Sequence, residues 1–231
     1  MRTGRTTGIH FLVDSELAER IVSLADVSNK DVLEIGPGRG AITDHIKNYK
    51  RLYLIEKEKT FEAYLRNKFP DAILIMGDAL RENWPPFDIF ISNMPYKITS
   101  PLLEKLWSTD FQMAVITVQK EVADRLIAKP NSKDYSKLSI MMQLKFDIDK
   151  EFEIPPYKFS PPPKVQSTVL TLRKRSVKID DGFPEFLKVL FSQRRKKIKN
   201  IINIERFKDN RPEELTIEDI LSLYYDFNGR K

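Results

Sequence analysis

Cysteine is absent from this 231-residue chain, and histidine occurs only twice. Without thiols there can be neither a disulfide nor a thiolate zinc site, and two scattered histidines leave no basis for a histidine metal centre. No apolar run approaches the roughly 18 residues that a membrane-spanning helix requires. The opening Met1-Arg2-Thr3-Gly4-Arg5 also lacks the apolar core of a secretion signal. A metal-free, cytoplasmic protein is the expectation. What is present is ordinary for a globular chain, with 41% hydrophobic and 31% charged residues. That length accommodates one substantial domain and a small appendage.

Charge is unevenly spread. Between Arg173 and Lys208 twelve Lys/Arg stand against four Asp/Glu, a surplus of eight on a chain whose net charge is +6. The remainder is therefore slightly acidic. A basic segment on a near-neutral body is a footprint of phosphate-backbone binding; the plainer reading is a solvated helix face. The acidic stretch 213–226 reads as a separate closing helix.

Apolar runs alternate with amphipathic ones. Strands are predicted over residues 31–35, 51–56, 72–76, 87–92 and 111–118, with helices over 41–49, 59–69, 100–107, 120–128 and 135–146. Two more strands, 148–154 and 166–173, are separated only by a proline-rich loop and so predict an antiparallel hairpin at a sheet edge. The alternation argues for an α/β fold, a doubly wound, mostly parallel, Rossmann-like sheet. After residue 175 the pattern becomes helical. The predicted organisation is a domain over 1–175 and a small all-helical, basic domain over 176–231.

Three strand ends carry polar chemistry. Val32-Leu33-Glu34-Ile35-Gly36-Pro37-Gly38-Arg39-Gly40 runs from a buried strand into a glycine turn, where bare backbone can approach a ligand. Glu56 closes the second strand, placed to accept from both ribose hydroxyls of a nucleotide, and Asp78 closes the third, placed to accept from an adenine amine. Either acid alone is equally well read as a cap or loop end. The turn is not G-x-G-x-x-G and no G-K-[ST] follows, which disfavours a dinucleotide and excludes a P-loop. The pattern E-x-G-x-G-x-G suits S-adenosylmethionine, which has no phosphate to neutralise.

The fourth strand ends in Ser92-Asn93-Met94-Pro95-Tyr96. The Asn93 side chain and a backbone carbonyl of Met94 or Pro95 can accept the hydrogens of an exocyclic amine, and Tyr96 can stack on its base. Such a base must be unpaired or flipped to enter. Methyl transfer to it needs alignment, with no metal and no strong base. Further on, Phe159-Ser160-Pro161-Pro162-Pro163-Lys164-Val165-Gln166-Ser167 is stiffened by prolines, and Phe159 is expected to sandwich the base opposite Tyr96.

With these motifs in order, the chain resembles the rRNA adenine-N6 dimethyltransferases, which include the KsgA-type small-subunit enzymes and the Erm-type resistance enzymes. Gly8-Ile9-His10-Phe11-Leu12-Val13-Asp14 resembles the family's G-Q-H/N-F-L motif, and residues 33–40 its cofactor turn. Residues 92–96 resemble its N-[LIM]-P-Y motif and 159–167 its F-x-P-x-P-K-V-x-S loop. Phe191-Ser192-Gln193-Arg194-Arg195-Lys196-Lys197 resembles the F-x-x-R-R-K helix of its C-terminal domain. The departures are Ile9 for Gln, Gln166 for an acid, a bulky Arg39, and a short C-terminal part.

The resemblance implies S-adenosylmethionine as cofactor. His10 and Leu12 would close over its methionine end, Gly36 and Gly38 would lie beneath, Glu56 would hold the ribose and Asp78 the adenine. Asn93 would touch cofactor and amine, with Pro95 carrying the turn and Tyr96 and Phe159 bracketing the base. Arg194, Arg195, Lys196 and Lys197 would contact RNA. The expected substrate is two adjacent adenosines in the 3′-terminal hairpin loop of small-subunit rRNA, dimethylated at N6 by a monomeric enzyme acting on a pre-ribosomal small subunit. The alternatives are methylation of one large-subunit adenosine, as in Erm-type enzymes, and a non-catalytic assembly factor.

Overall fold

The computed structural model describes residues 9–177, 179–180 and 182–229. Gly8 of the N-terminal motif, and Lys178 and Asp181 of the basic segment, lie outside them. In chain order the elements are β1 (Phe11–Leu12), α1 (Ser15–Ser23), β2 (Asp31–Ile35), β3 (Arg51–Glu56), α2 (Glu62–Lys68), β4 (Ile73–Met76), β5 (Ile89–Asn93), α3 (Thr99–Trp107), β6 (Met113–Gln119) and α4 (Lys120–Leu126). Then follow α5 (Lys137–Lys145), β7 (Phe146–Ile154), β8 (Phe159–Ser160), β9 (Ser167–Lys174), α6 (Phe183–Phe191) and α7 (Ile217–Asn228).

Seven strands form one sheet in the order β4-β3-β2-β5-β6-β9-β7. Strands β2 to β6 are parallel, and β9 runs antiparallel to β6. Across β9 and β7, Thr171 meets Glu151 and Arg173 meets Asp149. A step forward on one strand is thus a step back on the other, and the predicted edge hairpin is present. All five residues of β2 are buried, as expected for a central parallel strand covered on both faces. One core contains Val32, Leu52, Leu54, Ile89, Ile91, Val115 and Val169, and continues to Ala18 and Ile21 of α1.

The order of strands reverses between β2 and β5, since the chain builds outward through β3 and β4 before returning to the other side of β2. Ligands bind in such sheets at this switch point, outside the carboxyl ends of the strands. The glycine turn after β2 and the Asn93 segment after β5 flank it.

Residues 41–49 do not form the predicted helix: only Thr43–His45 make a single 3₁₀ turn. Ile42, Thr43 and Ile46 are β-branched and poor helix formers. Asn48 takes a left-handed conformation with φ of 58°, so the segment ends before a second turn can form. The proline-rich loop holds an unpredicted element, since β8 pairs antiparallel with β1 in a small separate sheet.

The chain forms two compact units. One comprises residues 1–123 and 148–174, the other 124–147 and 175–231. The second unit therefore takes in α5 as well as the expected 176–231. The reason is apolar: five of the nine residues of α5 are buried apolar side chains, and α5 packs on α6. Within it Phe183 and Phe186 meet Tyr224 at ring centroid distances of 5.2 Å, and the buried Tyr135 hydroxyl donates to the Leu215 carbonyl.

Candidate active site

At the carboxyl edge of the sheet lies a cavity of about 540 Å³, walled by the glycine turn, the ends of β3 and β4, the Asn93–Tyr96 segment and the strand β1. Local bonds draw these pieces together. Ser92 Oγ donates to the Ile35 carbonyl at 2.8 Å, Gly36 N–H to the Ile55 carbonyl and Gly77 N–H to the Glu56 carbonyl. Gly38 has φ of +54°, and a Cβ there would stand 2.9 Å from the Phe11 ring, so a side chain is excluded twice over. A Cβ added at Gly36 would stand 3.6 Å from Pro95 Cγ, which places Pro95 over that glycine. The two motifs that the sequence holds far apart therefore share one wall.

Glu56 is buried, and its two carboxylate oxygens accept from the N–H groups of Gly38 and Glu58 at 2.9 and 2.8 Å. A carboxylate offers about four acceptor sites, so capacity remains for two hydroxyls from the cavity. Asp78 accepts from Lys57 Nζ at 2.9 Å and from Leu80 N–H at 3.0 Å. The bond from Lys57, with the Leu80 amide, holds its carboxyl below the usual carboxylate range.

Asn93 has one satisfied end and one free one. Its Nδ2 donates to the His10 carbonyl at 3.1 Å, while Oδ1 is buried without a partner. A carbonyl can only accept, so the amide nitrogen must face His10 and the oxygen is left over. Leaving a buried acceptor unmade costs about 1–3 kcal/mol, which a donor in the cavity would recover. Tyr96 shares a 2.6 Å hydrogen bond with the buried Ser167 Oγ, which fixes the plane of its ring. Burial keeps its phenol above the usual range. Ser167 thus links two motifs, a role that sequence reading did not assign.

Phe159 requires a correction. It is 3% exposed inside the hydrophobic core and is absent from the cavity wall. Pairing of β8 with β1 places it opposite Leu12 and turns it inward. The ring that accompanies Tyr96 is that of His10, at 5.3 Å and tilted by 33°. His10 Nδ1 donates to the Pro161 carbonyl at 2.7 Å, so the proline-rich loop holds an aromatic partner for Tyr96 other than its own. Leu12 lines the cavity as expected.

Glu34 is the acid that sequence reading left without a role. It lines the cavity, is 2% exposed, and accepts from Thr43 Oγ1 at 2.7 Å. Burial pushes its pKa up to about 8, against the lowering effect of the Thr43 bond. The raised pKa means that the folded chain holds a proton that the unfolded chain releases above its ordinary carboxylate value. Stability should therefore fall as pH climbs from about 5 towards 8, on the order of 1 kcal/mol per pH unit. Glu34→Gln should lack this decline, so its melting temperature should gain on the parent's across that window. Parallel melting curves for the two proteins would contradict this.

A family model described as ribosomal RNA adenine dimethylase matches residues 2–221. The chain belongs to this family. It is 42% identical over 219 residues to a probable ribosomal RNA small subunit methyltransferase A of Pyrobaculum aerophilum, covering 93% of this chain and 94% of that one. The small-subunit methyltransferase A of Thermotoga maritima is 35% identical, with 97% and 85% covered. Among solved structures, a dimethyladenosine transferase from Plasmodium falciparum superposes with a TM-score of 0.86 at 26% identity, covering 96% and 98%. The 23S rRNA methyltransferase ErmE, at 22% identity and a TM-score of 0.68, shares the fold. Members of this family are S-adenosylmethionine-dependent methyltransferases, and this chain is an enzyme of that kind.

In the second unit, α6 ends at Phe191, and Arg194–Lys197 lie beyond it, the first two in a turn and Lys196 at a bend, rather than on a helix. Arg194 is engaged internally: it donates to the Tyr135 carbonyl at 2.7 Å and pairs with Glu213. Lys197 and Lys199 pair with Asp209, Lys208 with Glu205 and Arg206 with Asp226. Arg195 and Lys196 are exposed, and their side chains have no partner among the described residues. Among those residues, too, no group of three His, Asp or Glu is placed to hold a metal ion, and no helix is long and apolar enough to cross a membrane.

Proposed function

We propose that this dimethylase converts two adjacent adenosines, in the 3′-terminal hairpin loop of small-subunit rRNA, to N6,N6-dimethyladenosine. It would act in the cytoplasm as a monomer on a pre-ribosomal small subunit. The observation that carries this reading is the buried, unpartnered Asn93 Oδ1 in a cavity wall shared with Tyr96. An adenine amine is a donor with the right chemistry for that acceptor. Small-subunit relatives at 35–42% identity support the choice of RNA, and a hairpin loop offers unstacked bases of the kind that proteins read most readily.

The residues present fit S-adenosylmethionine. The Gly36–Gly38 turn lines the cavity with bare backbone, Glu56 keeps acceptor capacity for a ribose, and Asp78 can take an adenine amine. When bound, that cofactor supplies an electrophilic methyl group. Asn93 Oδ1 accepts one N6 hydrogen and a backbone carbonyl of Met94 or Pro95 the other, which draws the lone pair out of conjugation with the ring. Tyr96, its plane held by Ser167, supports one face of the base, and His10 stands beside it. Alignment of the reacting atoms at about 3 Å then carries most of the catalysis.

Arg195 and Lys196 would meet phosphates. Replacing both with alanine should weaken RNA binding and flatten the log–log salt dependence by roughly 1.4–1.8 units, since each lost phosphate contact removes about 0.7–0.9. An unchanged slope would make this turn a merely solvated surface. Incubation with labelled S-adenosylmethionine and separated subunits tests the substrate. Label in small-subunit RNA supports the proposal; label in large-subunit RNA favours the Erm-type reaction, and subunit binding without label an assembly factor.

A further inference from the structure

Outside the cavity, Lys105 on α3 is the side chain with the most unusual set of partners. Its Nζ donates to two backbone carbonyls, those of Ala79 at 2.8 Å and Glu82 at 2.5 Å. The same ammonium lies 4.8 Å from the centroid of the Trp84 ring, close enough for a cation–π attraction. Trp84 in turn donates its Nε1–H to the Ala79 carbonyl at 2.8 Å. The Ala79 carbonyl thus takes two donors, both from residues outside the cavity wall.

These contacts converge on a short loop whose other support is the Lys57 bond to the Asp78 carboxylate, the Gly77 amide bond to the Glu56 carbonyl, and bonds within the loop. Arg81 and Glu82 N–H groups both donate to the Asp78 carbonyl, and Leu80 N–H to Asp78 Oδ1. The Glu82 carboxylate lies so close over Gly77 that a Cβ there would stand 2.0 Å from Oε1. Gly77, Asp78 and Ala79 are cavity wall, whereas Lys105, Glu82 and Trp84 are not. Lys105 therefore clamps from behind the segment that presents Asp78 to the cavity.

We infer that Lys105, with Trp84, is a positioning residue that sets the enzyme's preference for an adenine base in its cofactor by holding Asp78 in place. The inference rests on the reading of Asp78 as the acceptor for the cofactor's adenine amine. A loosened loop would still leave Glu56 and the glycine turn to bind ribose and methionine. What it would lose is the part of the affinity that depends on the amine.

The test uses the whole protein and two ligands, S-adenosylhomocysteine and S-inosylhomocysteine, which differ in having an amine or an oxygen at the purine 6 position. Dissociation constants for both are measured by calorimetry for the parent, Lys105→Met and Trp84→Phe, with melting temperatures alongside. In Lys105→Met the adenosyl ligand should weaken roughly tenfold, the loss of one good hydrogen bond, while the inosyl ligand changes little. Trp84→Phe should shift the same ratio by less, and it carries the test if the Met variant does not fold. Equal weakening of both ligands, or of neither, would overturn the inference. A parent protein that binds both ligands equally would overturn the role of Asp78, and a parent that binds neither would overturn the cofactor reading itself.

Discussion

Turnover by Asn93→Ala is expected to fall by on the order of 10²–10³, the usual cost of removing one group aimed at the reacting atoms, with RNA affinity near the parent's. The N6 lone pair of adenine is delocalised into the ring and is a weak nucleophile. Among the described residues, Asn93 Oδ1 is the only buried side-chain acceptor at the cavity that the fold leaves without a partner. Alanine removes that oxygen and also the Nδ2 bond to the His10 carbonyl, so the ring beside Tyr96 loses a tether at the same time. Arg195 and Lys196, the proposed RNA contacts, lie in the other compact unit, so docking should be untouched. Single-turnover methylation and salt-matched RNA binding, measured together, check this. An alanine variant that still methylates at near the parent rate would remove the amine grip from the account.

Glu56→Ala should raise the dissociation constant for S-adenosylmethionine at least about a hundredfold, because hydrogen bonds to a charged acceptor are worth about 1.5–3 kcal/mol each and on the proposed reading two ribose hydroxyls would be served. The same change strands the Gly38 and Glu58 N–H groups. Some melting temperature will therefore be lost, and the turn under the cofactor will loosen. Glu56→Gln separates the two effects, since it keeps an oxygen for one of those amides while losing the charge. Its binding should be intermediate and its stability closer to the parent's. Unchanged cofactor affinity in both variants would mean that Glu56 only braces the glycine turn.

Much of this site was legible in the sequence because its residues are out of place for their surroundings. Glycines at 36, 38 and 40 after a buried strand, acids at two strand ends, and Asn-Met-Pro-Tyr after a fourth have little reason to cluster for packing alone. The central strands were legible because parallel strands buried on both faces read as mostly apolar runs. The helix over 41–49 was misread because periodicity outvoted the β-branched Ile42, Thr43 and Ile46. Phe159 was misread for a different reason: a loop has no period, so nothing local says which way its ring turns. That direction is set by pairing with Leu12, 147 positions away.

The basic segment shows the same limit. Its surplus of charge is real, but acids remote in sequence answer much of it, among them Asp149 with Arg173, Asp110 with Lys174 and Asp226 with Arg206. Exposed pairs of this sort contribute at most about 1 kcal/mol each, so they tell little about stability. Among the described residues of the segment, they narrow the candidates for phosphate contact to Arg195 and Lys196. Glu34, by contrast, was visible as a lone acid within an apolar strand, and its proximity to Thr43 was the missing piece.

The most direct test of the central claim is nucleoside analysis of small-subunit RNA, taken from a strain lacking the modification and incubated with the purified protein and S-adenosylmethionine. N6,N6-dimethyladenosine at two adjacent positions near the 3′ end is the predicted result. Subunits that bind the protein yet yield only unmodified adenosine at those positions would contradict it.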